Sequence, residues 1–316
     1  LYPSLRPLQL KTNMSQLSFV AVDWGTPDFR LWVMDDGGQI LNNTQGPFGM
    51  SRLKPDDFGR ILEESLDTLG VDEDVPVVIC GMAGAAQGWC EAPYLTAPTQ
   101  LEILGQQAVV VPNTRRCVRI LPGVKQMNPA NVMRGEETQI AGLLYQSPDF
   151  GGTVCLPGTH TKWVRVADRA ITSFETCMTG EQFGFFSETS VLSHSLILDG
   201  WSDSAFREAV RTATRDPAAI ARRLFAIRAE MLVADQTSAE ARATLSGLLI
   251  GQELMAVPHY WQGQSVTLIG APTLCEIYLK ALDVMGAGGR ALEVASLTLA
   301  GLTAAHLQPI TSIQTA

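Results

Sequence analysis

Two stretches of this chain repeat one pattern, and the repetition constrains the fold more than any other feature. Ser18–Asp35 reads SFVAVDWGTPDFRLWVMD, and Thr153–Val166 reads TVCLPGTHTKWVRV. In each, a short apolar run meets a polar break containing Gly-Thr, and an apolar run follows. Apolar runs on either side of a glycine-containing break predict a β-hairpin. Two such hairpins, roughly 130 residues apart, predict an internal duplication.

The breaks carry chemistry. Asp23, Gly25 and Thr26 stand together in the first, and Gly158, Thr159, His160, Thr161 and Lys162 in the second. Glycine lets backbone N–H groups come close to a bound anion. The threonine hydroxyls can donate to phosphate, and Asp23 can hold Mg²⁺ directly or through water. Taken alone, the first break reads more simply as an ordinary hairpin turn whose Asp and Thr satisfy their own backbone. The recurrence favours two phosphate loops.

The remaining motifs follow in order. Gly81–Trp89 reads GMAGAAQGW, Met133–Gln139 reads MRGEETQ, Leu156–Trp163 reads LPGTHTKW and Met178–Glu181 reads MTGE. Together with Asp23–Thr26 and Arg30 they resemble the 2-dehydro-3-deoxygalactonokinase family of the actin/hexokinase/acetate-kinase superfamily. The resemblance runs from about Met14 to near the C-terminus. One departure is Pro27, where such loops commonly carry a hydroxyl residue. It leaves more of the phosphate contact to the backbone of Gly25 and Thr26.

The resemblance implies an α/β chain with two ribonuclease H-like, actin-like ATPase domains whose mixed sheets flank a cleft. The expected division is a 1–13 extension, a first domain of 14–150 plus 298–316, and a second of 151–297. ATP·Mg²⁺ is expected on Gly25, Thr26, Arg30, Gly158, Thr159, His160, Thr161, Lys162 and Gly270, with Asp23 toward the metal. The implied reaction is phosphorylation of the 6-hydroxyl of 2-dehydro-3-deoxy-D-galactonate in galactonate catabolism. The residues by themselves say only a kinase of a small polyol or sugar acid. A kinase of another sugar or 2-keto-3-deoxy acid, and a non-catalytic actin-like ATPase switch, stay open as alternatives.

For the acceptor, Gly84, Gln87, Gly88 and Trp89 follow an apolar strand at Val75–Cys80, and Arg134 lies in MRGEETQ. Loops at the carboxyl ends of strands are where open α/β sheets bind ligands. Glu136 and Glu137 stand near the start of a helix expected over Pro129–Tyr145, with Asn131 as its N-cap. In related sugar kinases a carboxylate at a comparable place is the catalytic base. Adjacent helical residues point about 100° apart, so one of the two at most faces the acceptor. Spacing from Ile140 and Leu144 favours Glu136 weakly.

Composition narrows the partners. Twenty-three basic and 32 acidic residues leave a net charge of −9, which disfavours nucleic acid, since a phosphate backbone needs a basic face. No run of about 18 apolar residues argues for a membrane span. None of the six cysteines forms a CxxC pair, so zinc is not expected. Reduced thiols and the lack of an apolar leader imply a cytoplasmic protein. A homodimer is compatible with this reading. Arg115, Arg116 and Arg119 read as a solvated cluster, with carboxylate binding as the minority role.

Overall fold

The computed structural model describes residues 17–196 and 200–309; the expected 1–13 extension lies outside them. The chain divides into two compact units. Among the described residues, one comprises 17–93, 103–122 and 302–309, and the other 94–102, 123–196 and 200–301. The segment 123–150, expected with the first hairpin, makes its contacts in the second unit. The final division falls inside the helix Val294–His306, between Gly301 and Leu302.

In the first unit the hairpin forms where the apolar alternation requires it. Leu17–Trp24 and Phe29–Asp35 pair antiparallel, with Asp23 opposite Arg30. Ile40–Gly46 adds a third antiparallel strand on the outer side. Val77–Gly81, buried throughout as its near-continuous apolar sequence demands, joins the inner side in parallel, Val20 beside Val77. Val118–Ile120 extends the sheet in parallel, and Val109–Val110 closes it antiparallel. Helix Pro55–Leu69 buries Phe58, Ile61, Leu62 and Leu66, starts on a proline and stops at Gly70 in the left-handed region. These side chains meet Val20, Val22, Trp24 and Ile79 in one core.

The second unit repeats the plan. Gly152–Leu156 and Thr161–Ala167 form the hairpin, and Ala170–Cys177 adds the antiparallel third strand. Ser265–Gly270 joins in parallel, Val154 beside Thr267, and Gly288–Glu293 follows in parallel. Thr99–Gln100 pairs on the outer edge with Ala170 and Ile171. Each unit thus has three antiparallel strands followed by two parallel ones, in the same spatial order. This shared sheet is the ribonuclease H-like, actin-like ATPase fold. Helices Asp203–Arg215 and Ser238–Ala256 share a core with it through Phe206, Val210, Ile250 and Leu254, and they pack closely on each other because Gly247 and Gly251 present bare backbone to Phe206, Val210 and Ala213.

One expected element divides in two. The helix expected over Pro129–Tyr145 begins only at Glu136, and Ala130–Met133 is a strand paired with Gly123–Met127. Gly135, at φ 108°, makes the corner and takes the N-cap position. Asn131 is therefore not a cap; its side-chain oxygen accepts the Thr176 hydroxyl at 2.6 Å. The β-branched Val132 and a pairing partner distant in sequence override the local helical spacing.

Candidate active site

The first turn is held open from behind. Gly25 N–H donates to Asp28 O at 2.9 Å, closing Gly25–Asp28. The carbonyls of Gly25, Thr26 and Pro27 accept N–H groups of Met50, Ser51 and Gly49 at 3.0–3.1 Å. A Cβ on Gly49 would meet this backbone, so the pairing requires glycine there. With its carbonyls occupied, the turn presents the exposed Thr26 and the half-buried Gly25 outward. Gly49–Ser51 has no motif in sequence; its role rests on backbone N–H groups and on the Ser51 hydroxyl, which donates to Thr26 O at 2.9 Å.

Asp23 is the penultimate residue of the first strand, Leu17–Trp24, and is 8 % exposed. Its Oδ2 lies 2.6 Å from Arg30 Nη2, its neighbour across the hairpin. Burial raises its carboxyl above the usual range, although the Arg30 charge pulls the other way. Arg30 is thus first a partner of Asp23. Among the described residues no group of three His, Cys, Asp or Glu could cage a metal ion. One carboxylate suits Mg²⁺ of the kind that arrives on a nucleotide, with phosphate and water oxygens completing the shell. Asp23 fits that use.

Gly81–Trp89 packs behind the same turn. Gly81, at φ 90°, sits against Trp24 O, where a Cβ would come within 2.6 Å. Gly88 is pressed on the carbonyls of Met82 and Ala83, and Gly84 is buried. The Trp89 ring stacks on Phe58 with centroids 6.3 Å apart and meets Trp24 edge-on at 6.2 Å. Gln87 is exposed. Two of the basic cluster, Arg116 and Arg119, are buried: Arg116 pairs with Glu63 at 2.9 Å, and Arg119 donates to the His306 and Gln308 carbonyls, both at 3.2 Å. Arg115 is exposed and paired with Glu73. The cluster is a set of structural clamps.

In the second unit the turn Pro157–His160 rests on the start of helix Thr179–Glu188. Glu181 N–H donates to Thr159 O at 2.9 Å, and Gly180 lies so close that a Cβ would run into Gly158 O. His160 Nε2 lies 2.5 Å from Glu181 Oε2. Gly270, at the end of its parallel strand, faces Pro157, where a Cβ would stand 3.2 Å from the carbonyl. Gly158 itself has open space around the Cβ position, and Thr159 and His160 are exposed. Beside the turn is a cavity of about 300 Å³ whose lining includes Gly158, Gly180, Trp201, Arg242, Ile277 and Tyr278. The Arg242 guanidinium stands 5.1 Å over the Phe183 ring, and its Nη1 is buried without a hydrogen-bond partner. No sequence motif marks Arg242.

Strand alternation divides the next residues between two faces. Thr161 and Trp163 reach Tyr278 and Glu253 on the helix-covered face. Lys162, 5 % exposed, points the other way and brings Nζ to 3.6 Å from Glu136 Oε1. Glu136 Oε2 also accepts the Arg134 N–H at 3.0 Å. Glu137, 1 % exposed, spends both oxygens on Gly135 N–H at 2.8 Å and takes the Thr138 hydroxyl at 3.2 Å. Burial, with Glu136 adding repulsion, pushes Glu137 up to about 7. The Arg134 guanidinium stands 4.3 Å over the Tyr94 ring. Arg134, Glu136, Glu137 and Lys162 thus gather in the second unit, whereas Asp23, Arg30 and Gly84–Trp89 belong to the first.

Among the described residues no helix is long and apolar enough to cross a membrane. The 2-keto-3-deoxy-galactonokinase family matches residues 23–305. The chain is 39 % identical over 293 residues to "Probable 2-dehydro-3-deoxygalactonokinase DgoK1" of Rhizobium meliloti (strain 1021), covering 91 % of this chain and 96 % of that protein. It is 33 % identical to the 2-dehydro-3-deoxygalactonokinase of Escherichia coli (strain K12), over 85 % of this chain and 90 % of that one. A crystal structure of a Sinorhizobium meliloti protein assigned the same activity superposes with a TM-score of 0.86 at 38 % identity, covering 91 % of this chain and 97 % of the other. Ordered motifs, duplicated sheets and full-length likeness agree: this chain belongs to the 2-keto-3-deoxy-galactonokinase family.

Proposed function

We propose that the protein is an ATP-dependent kinase of 2-dehydro-3-deoxy-D-galactonate, transferring the γ-phosphoryl group to the 6-hydroxyl in galactonate catabolism. The observation that carries this, within the family, is Glu136: a half-buried carboxylate at a helix start, 3.6 Å from the buried Lys162 of the second phosphate turn. An acceptor hydroxyl is a weak nucleophile until its proton has somewhere to go. In this reading Glu136 takes that proton as the hydroxyl oxygen bonds to the γ-phosphorus and the bond to the ADP oxygen breaks. Lys162 orients the Glu136 carboxylate.

The turn Gly158–His160 and the N–H groups at the start of helix Thr179–Glu188 suit phosphate, since a helix start offers free donors and a positive dipole end. The adjoining cavity suits the nucleoside. In the first unit, Gly25 and Thr26 suit phosphate by the same backbone and hydroxyl chemistry, and Asp23 would hold Mg²⁺. The metal would screen phosphate charge. Arg134 is assigned to the sugar-acid carboxylate, and Gln87, which is exposed, to its hydroxyls. Gly84, Gly88 and Trp89 support this by shaping the loop.

The test is ADP release with ATP, Mg²⁺ and a panel of sugar acids and neutral sugars, with the product located by ³¹P-coupled NMR. ADP formation strictly dependent on the 2-keto-3-deoxy acid, with phosphate on its 6-oxygen, is expected. ATP hydrolysis indifferent to every sugar acid would overturn the proposal in favour of an ATPase switch.

A further inference from the structure

Beneath the second phosphate turn lies a carboxylate with no motif around it. Glu253, in helix Ser238–Ala256, is 3 % exposed and has no cationic partner among the described residues. Buried charges persist only where donors satisfy them. Glu253 Oε1 accepts the Trp163 indole N–H at 2.7 Å, and Oε2 accepts the Tyr278 hydroxyl at 2.9 Å and the Thr179 hydroxyl. Burial pushes this carboxyl up to about 7. A well-packed apolar side chain would be cheaper here, so the carboxylate calls for a reason beyond stability.

The reason is visible in what the donors are attached to. The Tyr278 oxygen lies 2.9 Å from Thr161 Oγ1, which lies 3.5 Å from Gly158 N. Only one direction satisfies every atom. Tyr278 gives its proton to Glu253, so Thr161 gives its own to Tyr278 and offers a lone pair to Gly158 N–H. Thr179 opens the helix whose next two residues press on Gly158 and Thr159. One carboxylate therefore ties down both halves of the cradle: the turn through Tyr278 and Thr161, and the helix start through Thr179. We propose that Glu253 is a positioning residue for the nucleotide, acting through Tyr278, Thr161 and Thr179 to hold the turn Gly158–Thr161 against the helix start at Thr179.

This rests on the reading that the turn takes nucleotide phosphates, and the test separates the two. ATP binding is measured by calorimetry without acceptor for the unaltered protein, Tyr278→Phe, Thr161→Val and the double variant. A hydrogen bond tied to a charged group supports a loss of roughly tenfold in ATP affinity for each single variant. Because both act on one chain of bonds, the double variant should lose little more than the worse single one. The acceptor KM should stay within about twofold. Tyr260→Phe is the control, since Tyr260 shares the same core and donates only to Ser173 at 3.4 Å; its ATP affinity should not change. Glu253→Gln is measured alongside, but the tyrosine and threonine variants carry the test if it does not fold. Normal ATP affinity in Tyr278→Phe, full additivity in the double variant, or an equal loss in Tyr260→Phe overturns the inference. An unaltered protein that does not bind ATP overturns the nucleotide reading, and the inference with it.

Discussion

At the scale of single residues, the two adjacent glutamates separate by what their oxygens already do. Glu137 is sealed and holds the corner at Gly135 with both oxygens, so it has no acceptor capacity aimed at a ligand. Glu136 keeps a quarter of its side chain exposed beside Lys162. Glu136→Gln should therefore lower kcat by about 10²–10⁴-fold, the usual worth of general-base help, with the KM for ATP little changed. Steady-state kinetics decide it: a larger kcat loss in Glu137→Gln would exchange the two roles, and less than about tenfold in both would exclude proton removal by the pair. Asp23→Asn should abolish turnover and leave the melting temperature near that of the parent, because the amide oxygen Oδ1 still offers Arg30 an acceptor. Near-normal kcat at saturating Mg²⁺ would remove Asp23 from the reaction.

At the scale of elements, two glycines of the second turn make opposite demands. Gly158 has open space at its Cβ position and an ordinary φ, whereas Gly180 is pressed against Gly158 O. Gly158→Ala should fold with unchanged stability yet weaken ATP binding, because the only thing the methyl can meet is the ligand. Gly180→Ala should force the turn off the helix start and cost both stability and ATP affinity. Thermal melts together with ATP titrations check the pair; unchanged ATP affinity in Gly158→Ala would move the phosphate elsewhere. These turns were legible in sequence because strand alternation and Gly-Thr breaks are local signals. The helix start at Glu136 was not, since residues 130–133 follow a strand partner that the spacing of apolar residues does not reveal. Glu253, Arg242 and Gly49 were invisible for the same reason. Each takes its role from groups distant in sequence, and each sits in a stretch whose own pattern is unremarked helix or loop.

At the scale of the whole molecule, the duplication was readable and recurs as two sheets of the same strand order. The boundaries of the compact units were harder to read, because residues 94–102 and 123–150 are assigned by pairings such as Ile171 with Thr99 rather than by any break in composition. A consequence that no single element shows concerns acid and base. Three buried carboxyls, Asp23, Glu137 and Glu253, are raised by burial, the last two to about 7. Unfolding exposes them to water, where a glutamate titrates near 4.5. Between those values the folded protein holds protons that the unfolded chain has released, so stability falls as pH rises through this window. Below about 4.5 both states are protonated and above about 7 both are ionised, so the contribution levels off at each end. The partly exposed carboxyls Asp57, Asp203 and Glu240 are lowered by their partners, and their contribution is lost only as pH falls through the acid range. The two trends therefore occupy different windows. For Glu137 alone the full swing is on the order of 3 kcal/mol. Glu137→Gln removes that titration while keeping one acceptor for Gly135 N–H. Melting temperatures of the parent and of Glu137→Gln, taken in steps from pH 5 to pH 8, should diverge: the variant gains on the parent as pH rises and the gap stops growing above pH 7. Parallel curves would mean that Glu137 is ionised in the folded protein across the whole range, with the Gly135 corner outweighing its burial.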